Sequence, residues 1–109
     1  MISFDITQLL EEHQQAKRPY LEFLRRRSMS MGIYVLPAGS EDPQQPHQED
    51  EVYLILSGEA TLQVANKDQQ VTKGSLIFIP AFMPHHFHSI HEDLQVLVFF
   101  APAETQYTL

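Results

Sequence analysis

The chain has 109 residues, of which 43% are hydrophobic, so we expect one domain with a single core. Its formal net charge of −7 argues against nucleic acid as a partner, because phosphate binding depends on clustered cations. The absence of cysteine excludes disulfides and thiolate ligands, so any metal must be held by nitrogen and oxygen atoms.

Residues 1–29 are expected to form a helix and an extended segment that pack on the outside of the domain. Asp5 precedes a run whose apolar residues share one face, which predicts a short helix over residues 5–15 with Asp5 as its cap. Pro19 ends this helix, and the residues from there to Arg27 favour an extended conformation.

The pattern from residue 30 to residue 109 predicts a β-domain. Gly58 and Glu59 separate two apolar runs and predict a hairpin turn, whereas Asp93 closes a polar break before the last run. Strands this short at such regular spacing indicate an all-β sandwich or barrel. The predicted strands are Ser30–Pro37, Val52–Ser57, Ala60–Ala65, Gln70–Thr72, Ser75–Ile79 and Leu94–Ala101.

The start of the chain lacks the charged and apolar regions of a signal peptide. Its apolar runs are also shorter than the ~20 residues needed to cross a bilayer. We therefore expect a cytoplasmic protein with no membrane partner.

The loop that leads into the second predicted strand carries a candidate metal site. Gln45, His47 and Glu51 are separated by two and four residues, so in an extended chain all three project to one side. An amide oxygen, an imidazole and a carboxylate suit a divalent transition metal. Pro80 and Pro84 bound a second loop, which presents His85 as the expected further ligand.

These two loops resemble the two sequence motifs of the cupin superfamily. The first motif is matched at the spacings of Gly39, Gln45, His47, Glu51 and Gly58, with Gln45 in place of its first histidine. The second is matched by Gly74, Pro80 and His85, with Phe82 in place of a glycine and Ser89 in place of an asparagine. The resemblance covers residues 30–101 and implies a jelly-roll barrel, or double-stranded β-helix, with the short helix outside.

The resemblance implies a metal site in which Gln45, His47, Glu51 and His85 are the ligands. Fe or Mn is the expected ion, and Zn, Ni, Co and Cu accept the same donors. Gln45 either ligates the ion or lines the pocket; without it, the two histidines and Glu51 leave positions open for O2 and a substrate. Alternation directs His86 away from His85, although a local bulge would exchange the two.

Other polar residues near the loops have two interpretations. Glu49 is either an additional carboxylate of the site or, as we favour, a solvated loop acid. Asp42 is expected to stabilise a turn. The run from Arg25 to Arg27 reads as a solvated charge cluster, and the alternative is an arginine that clamps an anionic substrate.

Cupins include dioxygenases, isomerases, decarboxylases, storage proteins and sensors, so the fold does not decide the function. The first hypothesis is a metal-dependent dioxygenase that acts on a small organic molecule bound in the barrel. The alternatives are a metal-dependent isomerase or lyase, and a non-catalytic protein that binds or senses a small ligand. Glu51 and Tyr53 are the residues expected to take part in catalysis, Tyr53 as a proton donor.

Two consecutive apolar runs, Val52–Leu56 and Val96–Phe100, need cover on both faces of their strands. A small barrel covers one face, so we expect a homodimer. The aromatic residues are expected in the core or in the pocket wall, with Phe82 beside the mouth; they are Tyr34, Tyr53, Phe78, Phe82 and Phe87.

Overall fold

The computed structural model describes residues 1–105, which form a helix, α1 (Ile6–Ala16), followed by six strands. The strands are β1 (Tyr20–Arg25), β2 (Ser30–Leu36), β3 (Asp50–Val64), β4 (Lys67–Thr72), β5 (Leu76–Ile79) and β6 (His85–Ala101). The all-β architecture expected from the sequence is therefore confirmed. The division into segments 1–29 and 30–109 stays a prediction, and residues 106–109 lie outside the described part.

Helix α1 begins as its sequence predicts. The Asp5 side chain caps it by accepting a hydrogen bond from the backbone N of Gln8 at 3.1 Å. Leu9 is buried against the outer face of the sheet, whereas Ile6, which was expected on the same stripe, is 38% exposed. Within residues 1–105 no helix has the length and apolar character needed to span a membrane. Localisation in the cytoplasm stays a prediction.

All strand pairs are antiparallel, in the order β1-β2-β6-β3-β4, and β5 also pairs with β3. The first half of β3 lies between β5 and the second half of β6. The second half of β3 lies between β4 and the first half of β6. The two long strands thus pair with each other along most of their length and carry the other strands at their two ends. Their inward side chains form the core, including Tyr53, Ile55, Leu62, Phe87, Val98 and Phe100.

The hairpin predicted at Gly58 is wrong, because β3 continues through this residue. The register with β6 shifts three times between Ile55 and Thr61, and these bulges bend the pair of strands without reversing the chain. Gly58 has a φ of +96°, and a Cβ placed on it would lie 2.2 Å from the carbonyl oxygen of Asp93. The polar break predicted near Asp93 likewise stays within β6.

The outer face of the sheet carries an apolar row in register. Leu54 pairs with Leu76 on one side and with Leu97 on the other, and Leu97 pairs with Ile33. Helix α1 covers the Ile33 end of this row, but Leu76 is 68% exposed and its neighbour Phe78 is 60% exposed. The expectation that Phe78 is a core residue is therefore wrong, because it points outward from β5. The homodimer stays a prediction, which this uncovered face favours.

We predict that Gly58→Ala lowers the free energy of unfolding by about 1–3 kcal/mol, since alanine meets both an unfavourable φ and a backbone carbonyl. Gly74→Ala is the matched control, because Gly74 has a φ of +91° with no atom within 4 Å of the added Cβ. Urea unfolding of both variants measures the difference. Equal losses would show that close packing at Gly58 contributes nothing beyond its backbone conformation.

Candidate metal centre

Two loops and two strand ends bring the predicted ligands together. His47 lies in the loop between β2 and β3, three residues before β3 begins, Glu51 is the second residue of β3, and His85 is the first residue of β6. The loops are joined where the backbone N of Phe82 donates to the carbonyl oxygen of His47 at 2.7 Å. The three side chains are buried, with exposures of 5%, 1% and 6% for His47, Glu51 and His85, respectively. One ligand atom from each lies within 4.8 Å of the others.

Contacts of its ring orient His85. Its Nδ1 lies 2.8 Å from the carbonyl oxygen of Met83, which accepts a hydrogen bond only if Nδ1 carries the proton. In the neutral ring the Nε2 atom is then unprotonated. That atom lies 3.0 Å from Oε1 of Glu51. His85 therefore presents a metal-binding nitrogen toward the carboxylate.

His47 is held in a similar way by different partners. Its Nδ1 lies 3.1 Å from Oε2 of Glu104, and its Nε2 lies 3.4 Å from Oε1 of Gln44. Each of the two histidines therefore has an oxygen acceptor beside Nδ1. For His47 the carboxylate beside Nδ1 is charged and closer than the neutral amide oxygen beside Nε2, so Nε2 is favoured as the metal-binding atom of both rings.

The donor atoms at the centre approach one another but make no aligned hydrogen bond. Oε1 and Oε2 of Glu51 and Nε2 of His85 are shielded from solvent and have no aligned hydrogen-bond partner within residues 1–105. A buried carboxylate without such partners is costly unless an opposite charge balances it. Two imidazole nitrogens and a carboxylate are the donor set of a divalent transition metal. The residues thus fit such an ion, and this buried His–Glu–His group can hold one.

The structure does not bring Gln45 into the group. Its side chain is exposed, whereas the preceding Gln44 is buried and faces His47. The predicted alternation fails here because the segment between Pro43 and Pro46 is irregular loop, and side chains alternate only in extended strand. The amide beside the histidines therefore belongs to Gln44. Metal ligation by His47, Glu51 and His85 stays a prediction.

Tyr53 lies against the centre and is 1% exposed. Its hydroxyl donates to Oε1 of Gln44 at 3.0 Å. Burial, followed by the negative charge of Glu51, raises the pKa of Tyr53 well above its ordinary value, so the phenol is neutral at physiological pH. Tyr53 thus keeps a proton available beside the candidate ligands, and its role in catalysis stays a prediction.

Asp42 organises the amide that contacts the centre. Its carboxylate accepts hydrogen bonds from the Tyr34 hydroxyl, from Nε2 of Gln44 at 2.5 Å and from the backbone N of Phe87 at 2.9 Å. Because Asp42 accepts from the amide nitrogen, the amide oxygen of Gln44 is directed at Tyr53 and His47. The turn role expected for Asp42 is therefore only part of its function.

The remaining acids near the mouth differ from expectation. Glu49 is 3% exposed, and its Oε2 accepts hydrogen bonds from the backbone N and Oγ1 of Thr105 at 3.3 and 2.9 Å. The favoured interpretation of Glu49 as a solvated acid is therefore wrong. Glu104, which no sequence pattern indicated, is 2% exposed. Arg25 pairs with the Glu22 carboxylate at 2.7 Å and donates to the carbonyl oxygen of Glu104. Its guanidinium therefore binds other groups of the protein instead of lying free in a solvated charge cluster.

The other residues of the second loop lie outside the centre. His86 and His88 are half-buried on the face opposite His85, as alternation predicts, and His88 lies 3.0 Å from Asp68. Phe82 is 69% exposed, so its ring does not line the core. It has a φ of 66°, which a glycine adopts more readily.

Comparison with known proteins agrees with this architecture. The family model described as "Cupin domain" matches residues 32–100. An uncharacterized protein of Streptomyces coelicolor is 46% identical over 105 residues, covering 96% of this chain and 100% of that protein.

Solved structures extend the likeness. One from Thermus thermophilus has a TM-score of 0.74 at 23% identity and covers 94% of this chain and 99% of that chain. An RmlC-like cupin with a double-stranded β-helix fold from Methanocaldococcus jannaschii has a TM-score of 0.70 at 20% identity, with coverages of 76% and 78%. The DMSP lyase DddQ of Ruegeria pomeroyi has a TM-score of 0.65 at 26% identity; the match covers 70% of this chain and 39% of the lyase.

The metal-free protein should lose stability as the pH rises above 6.5. Burial works to lower the pKa of His85, but Glu51 and the Met83 carbonyl outweigh it, so the pKa is raised above 6.5. The folded state then binds this proton more tightly than the unfolded state does. The resulting stabilisation is complete below pH 6.5 and is lost as the pH rises through the raised pKa.

Thermal unfolding of chelator-treated protein across this range measures the effect, with His85→Gln as the comparison. The difference in melting temperature between the two proteins should shrink with rising pH. A difference that does not change with pH would contradict the assignment to His85.

Proposed function

The chain belongs to the cupin domain family, and from this premise we propose that it is a mononuclear metal-dependent enzyme of the dioxygenase type that acts on a small organic molecule. The observation that carries the proposal is the buried set of donor atoms on Glu51 and His85, which make no aligned hydrogen bond, with His47 beside them. Such a set of two histidines and one carboxylate leaves coordination positions open on an octahedral ion.

The protein groups around the site have complementary roles in this proposal. His47, Glu51 and His85 would hold the ion, which when bound supplies Lewis acidity and redox chemistry toward O2 and a substrate. Glu51 contributes the negative charge and its surroundings exclude water, which strengthens electrostatic interactions at the site. Tyr53 donates a proton to a developing anion, and Gln44 orients the Tyr53 hydroxyl.

A metal-dependent lyase or isomerase is the second candidate. It is supported by the neutral phenol of Tyr53, since proton transfer is the step that such reactions require. It is also supported by the likeness to the DMSP lyase, although this chain spans only 39% of that protein. A non-catalytic ligand-binding cupin is the third reading, and the measurements below distinguish all three.

Protein purified without added metal should contain a near-stoichiometric divalent transition metal, because the buried donors are otherwise unbalanced. His47→Ala and His85→Ala should each abolish this content. His88→Ala is the matched control, since its side chain is 34% exposed and lies on the opposite face of β6. Elemental analysis measures the metal. Equal metal content in all the variants would rule out this centre.

Oxygen chemistry can be tested before a substrate is known. The Fe(II)-loaded protein should bind nitric oxide, a probe for an open position next to the ligands, and give the high-spin iron-nitrosyl signal in electron paramagnetic resonance. His85→Ala should lose this signal. Oxygen consumption with a panel of small organic acids, diols and phenols then separates the enzymatic candidates, because a lyase or isomerase turns over without using O2. Metal binding without any turnover would favour the non-catalytic reading.

A further inference from the structure

The segment that follows β6 is attached to three other parts of the fold. The backbone N of Glu104 donates to Oγ of Ser30 at 2.9 Å, and its carbonyl oxygen accepts from Arg25. Thr105 donates to Glu49 from both its backbone N and its hydroxyl. Strands β1 and β2 and the loop before β3 thus fix the position of Glu104.

The side chain of Glu104 contacts His47 at Nδ1. Its Oε2 lies 3.1 Å from Nδ1 of His47, and both of its oxygens are shielded from solvent and make no aligned hydrogen bond in the described residues. Glu104 lies outside the group whose ligand atoms are all within 4.8 Å of one another. Its carboxylate therefore reaches the centre through the imidazole of His47.

We infer that Glu104 is a positioning residue, which holds the proton of His47 on Nδ1 and so leaves Nε2 free to bind a metal. A neutral imidazole has one proton, and His47 has an acceptor beside each nitrogen. The Glu104 carboxylate at Nδ1 is closer and charged, whereas the Gln44 amide oxygen at Nε2 is neutral, lies 3.4 Å away and already accepts from the Tyr53 hydroxyl, so the proton is favoured on Nδ1. A carboxylate behind a metal-binding histidine also fixes the ring orientation and increases its basicity. The inference rests on the proposed metal binding and adds a group that lies outside both cupin motifs.

This role explains why a carboxylate is buried at position 104. The carboxylate could be replaced by a neutral amide of the same shape without disturbing the backbone contacts of the segment, because those use main-chain atoms. An amide is neutral and presents both an acceptor and a donor to Nδ1, so it no longer selects one tautomer of His47. Glu104→Gln therefore separates the orientation of His47 from the docking of the segment.

The experiment compares wild type, Glu104→Gln and the control Glu92→Gln, whose carboxylate is exposed on β6. Nitrogen NMR of isotope-labelled histidine reports the tautomer of His47 in the metal-free and Zn2+-loaded proteins, and chelator competition reports Zn2+ affinity. We expect the Nδ1-protonated form in wild type and in Glu92→Gln. In Glu104→Gln we expect a mixture of tautomers and roughly 10- to 100-fold weaker Zn2+ binding.

An unchanged tautomer and affinity in Glu104→Gln would overturn the inference while leaving the proposed metal site standing. If wild type binds no Zn2+, the proposed function fails, and the metal-free spectra alone decide whether Glu104 controls the tautomer. Should Glu104→Gln not fold, Glu104→Asp keeps the charge but withdraws the carboxylate by one methylene. It should weaken Zn2+ binding relative to wild type, and equal binding would count against the inference.

Discussion

The metal centre depends on how the long ladder between β3 and β6 bends. Glu51 lies near one end of this ladder, where it pairs with Phe100, and His85 lies at the other end, where it pairs with Val64. A flat strand from residue 51 to residue 64 would span about 43 Å at ~3.3 Å per residue. Yet Nε2 of His85 lies 3.0 Å from Glu51. The bulges around Gly58 make this closure feasible, so residues distant from the centre determine its geometry.

Buried carboxylates dominate the environment of the centre. Glu51 contacts His85, Glu104 contacts His47, and Asp42 acts on the same region through Gln44. In a poorly hydrated interior, negative charges are costly unless positive charge lies beside them. Protonated histidine and a divalent ion are therefore competing ways of balancing the same charge. In the metal-free protein, the imidazole of His85 supplies this positive charge by binding a proton, and its pKa is raised accordingly.

The sequence predicted the parts of the site that follow regular geometry. Glu51 and His85 lie at the starts of strands and His47 lies in the loop three residues before β3; for all three, motif spacing indicates proximity, and the structure brings their side chains together. Gln45 was misplaced because it lies between two prolines in irregular loop, where alternation does not apply. Glu104 follows the last strand in a segment without periodicity, so only its tertiary contacts reveal it. Gly58 was read as a turn because glycine serves turns and bulges equally well.

Paired residues of β3 and β6 are separated by different lengths of chain, and this affects the order in which the two strands pair. Val64 and His85 enclose a loop of about 20 residues, whereas Glu51 and Phe100 are separated by more than twice that length. We therefore expect β3 and β6 to pair first beside β4, where closing the shorter loop loses less chain entropy, and then to pair through the bulges toward Glu51. By the same reasoning, brief openings of the native ladder begin at the Glu51 end. Exchange of a bound ion would then require only this late-closing end to separate, while the rest of the barrel stays folded.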